Sequence, residues 1–292
     1  MTQFIYLVIA ASIIFASCSN NYQNNEFNNN QKKEGNMETK EVQSFVESDQ
    51  IKYRLKFESD LNSVEAGKNF NLAFVPISVG INEKTITLET IHERKVHLII
   101  VSEDLEYFYH IHPTKENNGH YSVDFNIPFG GRYKLFAEYK PQGNNKITDV
   151  FEFIAAGVNK PDEVYKSQKT FFSGNEYSVK LLNAENLLVG KENLIIAEFY
   201  KDGEKLKITG LENYLGEKAH AVAISIKDKN FMHVHPMVME EELNLDLNFD
   251  KPDLYRLWLQ FKINGVVYTA DFVVKALESD QDQKITNQHK HH

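Results

Sequence analysis

The 292-residue sequence predicts an all-β protein built from two tandem antiparallel β-sandwich domains. From residue 51 onward, short apolar or alternating runs follow one another, separated by turn residues such as Asn117-Asn118-Gly119. No longer stretch shows convincing helical periodicity. The strand pattern starts again after residue 170. Many short strands at this spacing are typical of a sandwich or barrel, and the restart predicts two of them.

A duplication within the sequence supports the two-domain prediction. Residues 67–113 align with residues 190–236 without a gap at an offset of 123, and 13 of the 47 pairs are identical. Tyr133 then pairs with Tyr255 at an offset of 122, so one residue has been lost between them. These two tyrosines and Trp258 are expected to be core aromatic residues. We therefore predict a repeated domain, with sandwiches at residues 51–156 and 171–277 and a linker at residues 157–170.

The N-terminal residues predict export and lipidation. Phe4 to Ala16 is an apolar run of 13 residues, followed by Ser17 and the only cysteine, Cys18. This length is typical of a signal peptide, here residues 1–17, and is too short to span a bilayer. The residues before Cys18 resemble the lipobox of bacterial lipoproteins, which implies lipidation of this cysteine. An ordinary signal peptide followed by an incidental cysteine is the alternative.

The regions outside the sandwiches predict a tethered envelope protein. The Asn-rich residues 18–50 have little to bury and are expected to form a disordered tether, and residues 278–292 a disordered tail. The net charge of −9 argues against binding to nucleic acid or to anionic lipid surfaces. We expect a bacterial envelope location, at the outer membrane facing the periplasm or the cell surface. The lipid anchor would be the only membrane contact, and an envelope protein is a candidate partner.

Three histidines recur in both repeats. His110 and His112 are followed by proline and preceded by His97, thirteen residues before His110. The offset of 123 brings back the same arrangement, with His220 ahead of His233 and His235. Histidines two apart on a strand share one face, so a third from a neighbouring strand would complete a metal site. Two histidines that do not recur, His92 and His120, are assigned to the surface.

Imidazole is a common ligand of zinc and copper, and thioether ligands favour copper. Met232 and Met237 lie beside the second histidine motif in the sequence. The alternatives are that the histidines brace strand ends through hydrogen bonds to carbonyl groups, or form a ligand or partner site. The predicted metal ligands are therefore His97, His110 and His112 in one site, and His220, His233, His235, Met232 and Met237 in another.

The residues around these histidines resemble a known group of proteins. The segments His97 to Pro113 and Gly131 to Phe136, with their counterparts in the second repeat, resemble secreted bacterial Ig-type β-sandwiches described as YtkA-like or FixH-like. The resemblance covers both globular halves of the chain. It implies an Ig-like or cupredoxin-like sandwich, an envelope location and metal handling, without an established reaction.

These observations predict a non-catalytic envelope lipoprotein that binds or sequesters a transition metal, copper before zinc. The alternative is a structural or protein-interaction lipoprotein whose histidines brace the sandwich. An enzyme is not expected, because the sequence contains no nucleophile triad spacing, glycine-rich phosphate loop or pair of carboxylates with catalytic spacing.

Overall fold

A computed structural model describes residues 52–80 and 82–279, except for the side chain of His235. The predicted signal peptide (1–17), Cys18, the tether (18–50) and residues 280–292 of the tail lie outside the described residues. Within the described ranges, no helix has the length and apolar character needed to cross a membrane.

The described part of the first repeat consists of short strands with 3-10 helices at Leu61–Ser63 and Asn117–Gly119. Its strands are β1 (Lys52–Phe57), β2 (Phe70–Val79), β3 (Lys84–Thr85), β4 (Leu88–Glu89), β5 (Val96–Ser102), β6 (Phe108–Ile111), β7 (Thr114–Lys115), β8 (Tyr121–Phe125), β9 (Gly131–Pro141) and β10 (Ile147–Ala155). One sheet has the order β1-β2-β8-β7, with β3 beside β2. The other has the order β10-β9-β5-β6, with β4 beside β9.

The second repeat has the same construction, with a 3-10 helix at Ile208–Gly210. Its strands are β11 (Phe171–Ser173), β12 (Tyr177–Leu182), β13 (Leu187–Leu188), β14 (Asn193–Lys201), β15 (Glu204–Lys205), β16 (Ala219–Ser225), β17 (Phe231–Met239), β18 (Glu242–Leu247), β19 (Asp253–Ile263) and β20 (Val266–Leu277). The sheet order is β11-β12-β14-β18-β17-β16-β19-β20-β13, with β15 beside β14. These strands confirm the predicted all-β fold of two tandem sandwiches.

Strand β17 joins the two layers of the second sandwich. Its residues 231–234 pair with β16, and its residues 235–239 pair with β18. Pro236 lies within β17, after the pairing with β16 has ended at Val234. In the first repeat, β6 ends at Ile111, two residues before Pro113.

Strand β5 has buried apolar side chains on both of its faces. Val96, Leu98 and Ile100 lie in the core of the first sandwich. The alternate residues Ile99 and Val101 are also buried, but in a separate cluster. Because side chains alternate across a strand, His97 shares the face of Ile99 and Val101. Strand β16 repeats this arrangement, with its alanines in the core and Val222 and Ile224 in the separate cluster.

That separate cluster is the contact between the two sandwiches, which belong to one compact unit. Phe108 stacks on Trp258 with ring centroids 4.6 Å apart, and Phe136 stacks on Phe231 at 5.0 Å. Phe108 and Phe231 are repeat equivalents, as are Phe136 and Trp258 at the offset of 122. The two stacks are therefore the same contact made twice, so the sandwiches meet through equivalent faces with approximate two-fold symmetry.

Two of the three aromatic residues that were expected in the hydrophobic cores lie there, and the third, Trp258, does not. The hydroxyl of Tyr133 donates to the carbonyl of Phe129 at 2.9 Å, and that of Tyr255 donates to Lys251 at 2.8 Å. A buried tyrosine bonded a few residues upstream is typical of Ig-like sandwiches. Both tyrosines belong to their own cores, as expected. Trp258 does not, because it lies in the contact between the sandwiches.

The predicted linker contacts both sandwiches. Residue 159 forms a bridge with Gly130 of the first repeat, and Lys169 forms one with Val273 of the second. Between these points the ring of Tyr165 lies under the guanidinium of Arg256, at 4.4 Å. The linker is therefore hydrogen-bonded at both of its ends.

Candidate metal centre

The first histidine site consists of His97, His110 and His112, whose ligand atoms lie close together as the sequence predicted. His97 comes from β5, His110 from β6, and His112 follows the end of β6. Nδ1 of His97 lies 3.2 Å from Nε2 of His110 and 3.1 Å from Nε2 of His112. The two Nε2 atoms are 3.1 Å apart. Three ring nitrogens thus form an almost equilateral triangle.

Hydrogen bonds on the far side of two rings fix their tautomers. Nε2 of His97 donates to the carbonyl of Ile91 at 2.9 Å, and Nδ1 of His110 donates to Oε1 of Gln260 at 2.8 Å. The amide nitrogen of Gln260 donates to Thr269 at 3.2 Å, which orients its oxygen toward His110. A neutral imidazole has one N–H, so both rings direct a lone pair into the triangle. At most one proton, on His112, then remains for three facing nitrogens.

The electrostatic surroundings keep these rings neutral. Burial lowers the pKa of His110 to about 3, and the neighbouring His97 adds to this shift. Burial lowers the pKa of His112 to about 2, with a further contribution from His110. Burial also lowers the pKa of His97, opposed by its hydrogen bond to Ile91 and by the charge of Glu138. All three are therefore in the unprotonated form that binds metal at neutral pH.

The triangle has the dimensions that a small transition-metal ion requires. Imidazole nitrogens lie about 2.0–2.1 Å from a bound zinc ion. Because the nitrogens are 3.1–3.2 Å apart, such an ion would stand roughly 1 Å above their plane, with a fourth coordination position left over. A cation there would satisfy lone pairs that cannot all be satisfied by one another. The residues present therefore fit a metal ion.

The second histidine set is described only in part. Nε2 of His220 donates to the carbonyl of Tyr214 at 2.8 Å, the repeat equivalent of the bond from His97 to Ile91. Burial lowers the pKa of His220 to about 4. Nδ1 of His233 lies 3.3 Å from a carboxylate oxygen of Glu138. The side chain of His235 lies outside the described part, so the three-ligand set stays a prediction.

The two predicted methionine ligands lie in different surroundings. Met232 packs against the core of the second sandwich, as does its neighbour Val234. His233, between them on β17, must therefore face the other way. Met237 is 40% exposed, beyond the point where β17 changes partner strands. The position of Met232 favours packing over metal ligation.

His92 was assigned to the surface, and the structure corrects this. It is half-buried, and its ring lies 6.1 Å from that of His97, 5.1 Å from that of His220 and 5.5 Å from that of His233. The repeat pattern could not reveal it, because its equivalent in the second repeat is Leu215. His120, by contrast, is outside the group and pairs with Glu58 at 3.0 Å.

The outer contacts of the histidine rings also cross between the repeats. Gln260 of the second repeat accepts a hydrogen bond from His110 of the first. Glu138 of the first repeat contacts His233 of the second. Glu138 and Gln260 are equivalent at the offset of 122, so this too is one contact made twice. Glu138 is 2% exposed, and its other oxygen lies 2.9 Å from Nζ of Lys146. Sequence analysis missed both residues, although their equivalent positions were a usable signal.

Comparison with protein-family models identifies the family of the chain. A model described as a domain of unknown function, DUF8832, matches residues 47–156 and again residues 170–278. The chain belongs to this family. Its two DUF8832 domains are the two repeats that carry the histidines. No curated protein matches the sequence.

Solved structures similar to the tandem DUF8832 domains are repeated sandwiches of low sequence identity. Domains 4–9 of the surface layer protein SbsC are 10% identical with a TM-score of 0.23, and the alignment covers 79% of this chain and 32% of that one. The tandem Ig repeats of Dlar are 5% identical, with a TM-score of 0.23 and coverage of 79% and 99%. Titin domains A168–A170 are 10% identical, with a TM-score of 0.22 and coverage of 79% and 67%. At these scores the similarity carries no argument about function.

Proposed function

We propose that this DUF8832 protein binds or sequesters a transition metal, without catalysis, at His97, His110 and His112. The triangle of ring nitrogens supports the proposal, because two of its lone pairs are fixed by Ile91 and Gln260. Neutral imidazoles held in this way are typical of metal ligands, whose other nitrogen is bonded to a carbonyl or carboxylate. The second part of the proposal is an equivalent site that includes His220, His233 and His235.

Copper(I) is the ion we propose first for this site, ahead of zinc. The three ligands are neutral and at least half-buried, so a bound ion brings its whole charge into a poorly solvated place. The free energy of desolvation rises with charge, which favours a monovalent ion over a divalent one. Imidazole ligands suit both metals.

The cellular setting is also part of the proposal. The lipobox-like residues before Cys18 support a lipid anchor in the bacterial envelope. The predicted tether would hold both domains away from the membrane, where they could meet metal or an envelope protein partner. Labelling of the expressed protein with a radioactive fatty acid, compared with Cys18→Ala, tests the anchor. Equal labelling of the two proteins would refute it.

A bracing role is the second candidate, and one observation favours it. His97 and His220 each donate to a carbonyl group of the preceding turn, as a purely structural histidine would. Bracing does not account for the inner nitrogens, which face one another instead of facing donors. The two functions therefore differ in what metal should do to the protein.

The test is metal titration of residues 47–278. Core residues run from Leu55 to Ala276, so this part contains both hydrophobic cores and their contact, and it lacks the histidines of the tail. We expect Cu(I), measured by competition with a chromophoric chelator, to bind and to raise the melting temperature. His112→Asn should abolish binding at the first site. His120→Asn, which removes a histidine outside the group, should have no effect. Absence of binding, with a lower melting temperature in metal-free His112→Asn, would support bracing instead.

A further inference from the structure

His92 is carried by a tight turn that is strained at two residues. Ile91 and Arg94 pair across the turn between β4 and β5 through two backbone hydrogen bonds, of 2.7 and 2.9 Å. His92 and Glu93 between them have φ angles of 45° and 62°. Two residues with positive φ form a type I′ turn, which prefers asparagine and glycine. The left-handed conformation costs an ordinary residue about 1–2 kcal/mol, and such strain is concentrated at functional sites.

The turn brings His92 from the first repeat to the histidines of the second. Its ring is 5.1 Å from that of His220, edge to face, and 5.5 Å from that of His233, stacked. In the first histidine site the ring centroids are 4.5–5.4 Å apart. Both separations from His92 are close to those between the rings of the first site.

The outer contacts of His220 and His233 are made with positions equivalent to those that contact His97 and His110. The bond from His220 to Tyr214 repeats that of His97 and leaves Nδ1 as the inner nitrogen. The contact of His233 with Glu138 repeats that of His110 with Gln260 and leaves Nε2 as the inner nitrogen. A carboxylate in this position makes the ligand nitrogen more basic and offsets part of a divalent ion's charge.

We propose that a second metal ion binds between the two repeats, with His92 as a ligand beside His220 and His233. This rests on the proposed function and extends it, because one repeat supplies a ligand to the site of the other. The terminal ring torsion of histidine has a broad energy minimum, so rotation of the His92 ring can direct a nitrogen at the ion. Because the carboxylate of Glu138 replaces the amide of Gln260 and makes the inner nitrogen of His233 a stronger donor, Zn²⁺ is the ion that we assign to this second position.

Zn²⁺ titration of residues 47–278 with three variants tests the proposal. His92→Asn removes the imidazole but retains a residue that tolerates positive φ. His112→Asn disables the first site, and His120→Asn is the control. We expect two equivalents in the unchanged protein. His92→Asn should weaken one of them by at least about 10-fold, the lower limit for loss of an outer partner, and leave unchanged the one that His112→Asn removes.

A second measurement separates ligation from a structural effect. On addition of Zn²⁺, the side-chain ¹⁵N resonance of a ligating nitrogen shifts, and that of His92 should shift in His112→Asn protein, where only the second site is intact. Unchanged affinities in His92→Asn, or a His92 resonance that does not respond, would overturn this proposal and leave the first site standing. A single equivalent that His112→Asn removes would do the same. Absence of Zn²⁺ binding would also overturn this proposal, and absence of both Zn²⁺ and Cu(I) binding would overturn the proposed function as well.

Discussion

Gln260 of the second repeat accepts a hydrogen bond from Nδ1 of His110 in the first repeat, at 2.8 Å. The bond crosses the contact between the sandwiches and reaches the outer side of a candidate metal ligand. Glu138 makes the equivalent contact with His233 at 3.3 Å. Each repeat thus orients a histidine of the other, and this relationship leads to specific expectations for variants.

Gln260→Leu should weaken metal binding at the first histidine site by about 10- to 100-fold, the usual effect of losing an outer partner. The leucine side chain cannot accept the hydrogen bond from Nδ1 of His110, so the tautomer of the ring is no longer fixed. Gln260→Glu supplies an acceptor of similar size and should retain or strengthen binding. Cu(I) competition titrations of both variants make the comparison. Equal affinities in the leucine and glutamate variants would contradict this role.

Trp258→Ala should lower the free energy of unfolding by about 3–5 kcal/mol, as is usual for a buried aromatic residue. Trp258 is 2% exposed and stacks on Phe108 of the other repeat. The loss therefore falls on the contact between the sandwiches and should separate their unfolding transitions in urea. Phe171→Ala is the matched control, because Phe171 is 51% exposed. A similar loss in both variants would argue against a specific interface.

The metal-free protein should lose stability as the pH falls below about 6.5, the ordinary pKa of histidine. The folded pKa values are lowered to about 3 for His110, about 2 for His112 and about 4 for His220. The unfolded chain therefore binds more protons in this range, and the free energy of unfolding decreases toward acid. Each histidine contributes about 1.4 kcal/mol per pH unit at most.

Urea unfolding at pH 7.5 and 5.5 measures this dependence. His112→Asn should reduce the difference between the two pH values by the share of one histidine. Phe171→Ala, which removes an exposed side chain that does not titrate, should leave it unchanged. A pH dependence that is the same in all three proteins would contradict the assignment to buried histidines.

Glu93→Gly should raise the stability of the metal-free protein by roughly 0.5–1 kcal/mol, since glycine adopts positive φ without strain. The equivalent turn of the second repeat already has Gly216 in this position, with a φ of 84°. The reverse change, Gly216→Ala, should cost about 1–2 kcal/mol. An added Cβ there would meet Glu93 at an ordinary 3.5 Å, so backbone strain is the cause. Thermal unfolding of both variants checks the opposite signs.

The sequence predicted most of the fold and half of the histidine geometry. Alternation and turns predicted the strands, and the recurrence of three histidines predicted the triangle formed by His97, His110 and His112. The element that covers the second apolar face of β5 was not predicted, because an apolar face does not specify its partner. Trp258 was therefore assigned to a core instead of the contact.

His92 was missed for a related reason. Its role depends on a turn conformation and on a neighbour in the other repeat, and neither leaves a periodic signal. Its lack of an equivalent histidine in the second repeat counted against it.

Glu138 and Gln260 each contact a histidine of the other repeat, which limits how the two repeats can be separated or exchanged. A single repeat, cut out and expressed alone, loses the group of the other repeat that contacts one of its histidines. Two copies of the first repeat joined in tandem would place a carboxylate behind both histidines, and two copies of the second would place an amide behind both. The natural order gives one of each. Under the proposed function, the smallest unit that keeps both histidine sites with their outer partners is therefore the unlike pair of repeats.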